Sequence, residues 1–83
     1  MENKEWGEYI KKIRQRKKLT QFELAVRTRI SLQSIRQIEQ IGHIPKMKAL
    51  IKIGSVLEIS FEKILRMIGT DLKEGEIFDL SKK

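Results

Sequence analysis

The chain has 83 residues, with 18 Lys+Arg against 11 Asp+Glu, one His and no Cys, for a formal charge of +7. That length predicts one small domain, without room for a separate ligand-sensing or catalytic domain beside it. Lack of cysteine excludes disulfides, thiolate metal sites and cysteine nucleophiles, and the apolar runs are too short for a membrane span. The first residues, MENKEWGEYIKK, lack the apolar stretch of a secretory signal, so a cytoplasmic location is the expectation.

The charge is unevenly placed. Residues 1–52 hold 13 basic and 5 acidic side chains, whereas residues 53–83 hold 5 and 6. The densest run is Lys11, Lys12, Arg14, Arg16, Lys17 and Lys18. A surface for a polyanion, whether nucleic acid or anionic membrane, and an ordinary solvated helix face both fit this pattern.

Apolar spacing reads as helix nearly throughout. Trp6, Ile10 and Ile13 recur at i, i+4, i+7, which predicts an amphipathic helix over about 4–17, flanked by Tyr9. Thr20-Gln-Phe-Glu is a capping box that opens a second helix, with Phe22, Leu24 and Ala25 as its apolar contacts and an end near Thr28. Ser31 caps a third helix with Ile35 and Ile38 inward, ending near Gln40 because Gly42 and Pro45 break the helical pattern beyond it. Ala49, Leu50, Ile53, Val56 and Leu57 make the stripe of a fourth, in which Gly54 implies close approach of another helix backbone. Ser60 caps a short fifth helix carrying Phe61, Ile64, Leu65 and Ile68, with Gly69 as its stop. The expected fold is all-α, with five short helices and no strand, save for a short strand or helical extension at residues 76–80.

Only three or four residues separate the second and third helices, so they must cross steeply, with a small residue, Ala25, at the contact. These are the requirements of a helix-turn-helix whose second helix enters the DNA major groove. Here the sequence resembles the phage-repressor and Cro-like helix-turn-helix proteins, the XRE family. The likeness runs from Ile10 to Leu65 through I-x-x-I-R at 10–14, L-T-Q-x-E-L-A at 19–25, S-x-x-S-I-x-x-I-E at 31–39, Pro45 and L-x-x-I-x-x-V-L-x-I-S at 50–60.

The resemblance implies a compact five-helix, lambda-repressor-like domain over residues 1–69, with a tail over 70–83. It implies a sequence-specific regulator of transcription that binds double-stranded DNA, acting as a homodimeric repressor that occludes a palindromic operator. Leu32, Gln33, Ser34 and Gln37 fall where family members touch base edges, and a glutamine amide such as that of Gln33 pairs bidentately with adenine. Gln21, at the start of the second helix, falls where the family anchors a phosphate. Arg16, Lys17, Lys18, Arg36, Gln40, His43 and Lys46 are the further phosphate candidates, with Arg36 on a different side from the readers. Arg14 and Glu39 match a structural ion pair. The sequence departs from the family at Arg29, where a glycine with positive φ is usual, and at Ile41, where Gly42 follows one place late. A locally altered turn is expected there.

Other functions have little to stand on. A lone His43 without a second His or any Cys is not a metal ligand, and five aromatics are too few for a single-strand stacking platform, so Trp6, Phe22 and Phe61 read as core or interface. The chain is too short for a deep pocket, so no enzyme activity, cofactor or small-molecule substrate is expected. Phe61, Ile64, Ile68, Ile77, Phe78 and Leu80 form a candidate dimer interface. The second reading is a protein-interaction module of the same fold, antitoxin-like or bound by an anti-repressor, with a regulatory protein as partner.

Overall fold

The computed structural model describes residues 2–69. The expected strand or helical extension at 76–80, and with it Ile77, Phe78 and Leu80, lies outside the described residues. Five helices follow one another: α1 (Lys4–Arg16), α2 (Gln21–Thr28), α3 (Leu32–Ile41), α4 (Met47–Leu57) and α5 (Phe61–Ile68). Among the described residues there is no strand, only an isolated antiparallel bridge between Glu2 and His43. The all-α expectation holds.

Local chemistry sets the boundaries. Asn3 caps α1 by accepting from the Trp6 N–H at 3.0 Å. Thr20 and Glu23 close the capping box on α2, with the Glu23 N–H donating to Thr20 Oγ1 at 3.0 Å and the Thr20 N–H to Glu23 Oε1 at 2.8 Å. Ser31 and Ser60 cap α3 and α5 by accepting from the N–H three residues on. Each cap removes one orphan donor at a helix start and contributes about 1 kcal/mol.

The helix ends depart from expectation in two places. α3 continues through Ile41, because the left-handed residue that stops it is Gly42, at φ 73°. Gly69 has φ −62° and is not a left-handed stop. Arg29 does take the left-handed conformation, at φ 58°, and its N–H donates back to the Val26 carbonyl.

The core gathers Trp6 and Ile10 from α1, Leu24 and Ala25 from α2, and Ile35 and Ile38 from α3. Leu50, Ile53 and Leu57 of α4, Ile59, and Ile64 and Ile68 of α5 complete it. Phe22 is the exception among the expected apolar contacts. It is 64% exposed and contributes nothing to the core.

Two close approaches fix the packing. A Cβ on Gly7 would stand 2.3 Å from the Ile38 carbonyl oxygen, so α1 crosses α3 backbone to backbone at that point. A Cβ on Gly54 would meet the Ile59 carbonyl at 2.8 Å and Ile64 Cδ1 at 2.9 Å. The neighbour of Gly54 is therefore the turn after α4 and a side chain of α5, not another helix backbone. The N-terminal residues strap the bundle together. The Asn3 N–H donates to the Gly42 carbonyl at 2.8 Å, and Asn3 Nδ2 to the Met67 carbonyl at 3.3 Å. Trp6 Nε1 donates to the His43 carbonyl at 3.0 Å.

Candidate nucleic-acid interface

A buried charge pair sets the arrangement of α1, α2 and α3. Arg14 Nε and Nη2 donate to the two oxygens of the Glu39 carboxylate at 2.6 and 2.9 Å, and Nη1 donates to the Leu19 carbonyl at 2.7 Å. Gln21 Nε2 donates to Glu39 Oε1 at 3.0 Å. One carboxylate on α3 thus holds α1 and the first residue of α2, and the same Arg14 holds the connection between them. Arg14 and Glu39 retain only 9% and 2% side-chain exposure, so their charges are compensated almost entirely by each other and by these hydrogen bonds.

This frame presents two polar ends. At the start of α2 the capping box takes the N–H groups of Thr20 and Glu23, which leaves those of Gln21 and Phe22 without an intrahelical partner. An anion is favoured at such a position by those donors and by the helix dipole. The Gln21 side chain is half-buried and already committed to Glu39, so what it offers an anion is chiefly its backbone N–H.

The second polar end is the outer face of α3. Ile35, Ile38 and Glu39 turn inward, while Gln33, Arg36, Gln37 and Gln40 are exposed. Residues three and four apart on a helix are neighbours, so Gln33 and Gln37 make one row and Arg36 and Gln40 another beside it. Arg36 therefore shares the face with the glutamines, contrary to the placement expected from the sequence. At 100° per residue it stands only about 60° round from Gln33.

Four other candidates make contacts within the domain. Leu32 is half-buried and packs against the core, which takes up part of its apolar surface. Lys17 Nζ pairs with Glu58 at 2.5 Å, at the C-terminal end of α4, whereas Lys46 stands at the N-terminal end of that helix. This pairing holds the Glu58 carboxyl below its ordinary pKa, first through the hydrogen bond from Lys17 and then through its charge. Ile64 and Ile68 retain 1% and 0% exposure inside the domain core, so neither is available to a dimer interface. Phe61 is 37% exposed and remains on the surface.

The remaining candidates lie toward opposite ends of α1 and α4. Arg16 and Lys18 are exposed in and after the last turn of α1. Ser34 is half-buried, its Oγ accepting from the Ser31 hydroxyl at 2.9 Å. His43 is half-buried in the turn after α3, where its carbonyl is bound by Trp6, and Lys46 is exposed at the start of α4.

Gly7, the Asn3 cap and the Trp6–His43 bond were not anticipated from the sequence. An isolated glycine in the helical stretch KEWGEY was the only signal for the first, and an Asn just before the first helix was the signal for the second. No sequence signal marks the third. Among the described residues, no group of His, Asp or Glu is placed to hold a metal ion, and no helix is long and apolar enough to cross a membrane.

A family model described as helix-turn-helix matches residues 10–64. The match covers α2, the turn and α3 in full, together with all of α4. No curated protein and no solved structure matches the chain.

Proposed function

Since the chain belongs to the XRE-type helix-turn-helix family and is in general terms a DNA-binding transcription regulator, we propose that it is a sequence-specific repressor acting as a dimer on a palindromic operator. The observation that carries the reading is the exposed row Gln33–Gln37 on a helix whose position is locked by the buried Arg14–Glu39–Gln21 network.

In this reading α3 lies in the major groove. Gln33 pairs bidentately with an adenine, and Gln37 reads one turn further along the helix. Arg36, exposed on the same face, is a third reader, with the O6 and N7 of guanine as its usual partner, or else binds the phosphate beside the groove. Leu32 and Ser34 are not proposed as principal readers, because core packing and the cap of α3 already use their surfaces. The N–H groups at the start of α2 bind one phosphate strand, with Arg16 and Lys18 near it. Gln40, His43 and Lys46 bind the other. Lys17 is not assigned to a phosphate, since Glu58 holds it.

Two such helices spaced one turn of DNA apart, ~34 Å, read a palindrome, and a bound dimer blocks polymerase by occupancy. Exposed Phe61 lies in the proposed dimer contact, together with the apolar residues of the 70–83 tail. The test is selection from a randomised duplex library at near-physiological salt. Enrichment of a palindrome with half-sites one turn apart supports the reading; sequence-independent retention that disappears with salt refutes it.

A second reading rests on Phe22 and Val26. They are 64% and 59% exposed and sit one turn apart on the outer face of α2. A regulatory protein, as in antitoxin-like or anti-repressor pairs, would dock there. Phe22→Ser/Val26→Ser leaving DNA binding intact while abolishing regulation in cells is the result that separates this reading from the first.

A further inference from the structure

We propose that residues 76–80 of a second copy dock in the groove between α2 and α4, and that this exchange closes the dimer; the inference rests on the dimeric reading above. The groove has a volume of about 320 Å³ and is lined by Arg27 and Arg29 from the end of α2 and by Ile51, Lys52, Ser55 and Val56 of α4. Ile51 is 53% exposed, so the floor is apolar and open. Arg27, Arg29 and Lys52 are exposed, and none of them pairs with a carboxylate among the described residues. The acidic residue closest in sequence to the lining, Glu58, is held by Lys17.

Three cations with no carboxylate partner among the described residues, around an apolar floor, call for a ligand that is both acidic and apolar. A phosphate backbone supplies only the charge and would leave Ile51 against a hydrated strand. The α4 wall of the groove also lies away from the phosphate candidate Lys46. Lys52 to Val56 stand about 9–15 Å along α4 from Lys46, at the rise of 1.5 Å per residue.

This chain carries a segment of the required chemistry. Residues 76–80 read Glu-Ile-Phe-Asp-Leu, two carboxylates and three apolar side chains in five positions. The core formed by α1 to α5 is closed without them.

Reach favours the second copy over the chain's own domain. α5 ends beside the start of α1, where Asn3 Nδ2 bonds the Met67 carbonyl. To enter its own groove the chain would run back along the eight residues of α5, about 12 Å, and then across α4, about 10 Å. That path uses nearly all of the roughly 23 Å that the seven steps from Gly69 to Glu76 span when fully extended. Ile51 and Ser55 also line a smaller cleft, about 210 Å³, that contains Phe61. The groove is therefore continuous with the exposed start of α5. A two-fold axis beside Phe61 brings the second copy's segment to this surface without the reversal, and the two equivalent dockings close the pair.

The experiment uses the full chain in two variants, one with the groove reversed (Arg27→Glu with Lys52→Glu) and one with the segment reversed (Glu76→Lys with Asp79→Lys). Sedimentation across a micromolar concentration series reads the dimer. Wild type is expected to dimerise, and each variant alone to dimerise about tenfold or more weakly, because each then pairs like charges. An equimolar mixture is expected to regain wild-type association, since both dockings of the mixed dimer again pair opposite charges. If mixing restores nothing while one chain with all four substitutions is restored, the segment docks on its own domain and the proposal is overturned. Unchanged dimerisation of both variants overturns it as well, with the dimer itself intact. A monomeric wild type refutes the dimeric reading beneath it. Should the reversed groove fail to fold, deletion of residues 72–83 serves instead: a folded monomer is expected, and a persistent dimer contradicts the exchange.

Discussion

Replacing Glu39 by Ala strands the Arg14 guanidinium at 9% side-chain exposure, with only the Leu19 carbonyl still bound to it. Removing one member of a buried pair costs about 3–5 kcal/mol, because the remaining charge is left without compensation. A domain of this length has roughly 4–12 kcal/mol of stability in total, so one substitution removes a large share of it or all of it. Replacing both partners, Arg14→Met with Glu39→Leu, is different. No charge is stranded, and the losses are the bonds from Gln21 and to Leu19, each costing about 1 kcal/mol and each only part-buried. The double variant should therefore lose about 2 kcal/mol, where additivity of the two single losses would demand about 6–10. Urea unfolding followed by circular dichroism, on both single variants and the double, measures the coupling. Single losses below about 1 kcal/mol, or a double loss equal to their sum, would refute the assignment of this pair as the lock between α1, α2 and α3.

Three further predictions concern the frame around the interface. Gly7→Ala gains helix propensity yet places a Cβ 2.3 Å from the Ile38 carbonyl oxygen, so a net loss of about 1–3 kcal/mol is expected in urea unfolding; a rise in the midpoint would contradict the backbone contact. Arg29→Gly relieves a left-handed residue at φ 58° and should stabilise by up to about 1 kcal/mol after the added entropy of glycine. An unchanged or lowered thermal midpoint would count against strain at that turn. The Glu58 carboxyl has a lower pKa folded than unfolded, so its favourable contribution is present above the ordinary value of 4.5 and fades as pH falls through the folded value. The stability difference between wild type and Glu58→Gln, small because the pair is exposed, should favour wild type at neutral pH and shrink steadily as pH falls below 4.5 through the folded value; a difference that does not change with pH across this range would exclude the Lys17 pairing as its source.

The helices were legible where the sequence carries local chemistry. Thr20 with Glu23, Ser31 and Ser60 mark three helix starts by side-chain capping, a signal confined to four residues. Ile10, Ile35, Ile38 and Ile53 are fully buried as their spacing implies. The limits lie where a long-range contact decides. Phe22 sits in a helix of eight residues, too short for periodicity to say which of two faces a given apolar residue occupies. Phe22 and Leu32, both expected to serve other roles, were settled only by how α2 and α3 lie on the rest of the domain. Gln33 and Gln37 were legible as exposed, because polar residues at i and i+4, off the Ile35–Ile38 stripe, need no partner to stay on the surface. Lys17 was not, since its Glu58 partner lies 41 residues away in the sequence.

Parallel selections from one randomised duplex library, run with wild type and with Gln33→Ala, test the central claim that the outer face of α3 reads DNA sequence. The account predicts that both select the same operator, with preference relaxed at one base pair per half-site and affinity for the wild-type operator reduced by roughly 1–3 kcal/mol. Identical preferences at every position, or a loss of affinity shared equally by all sequences, would contradict it.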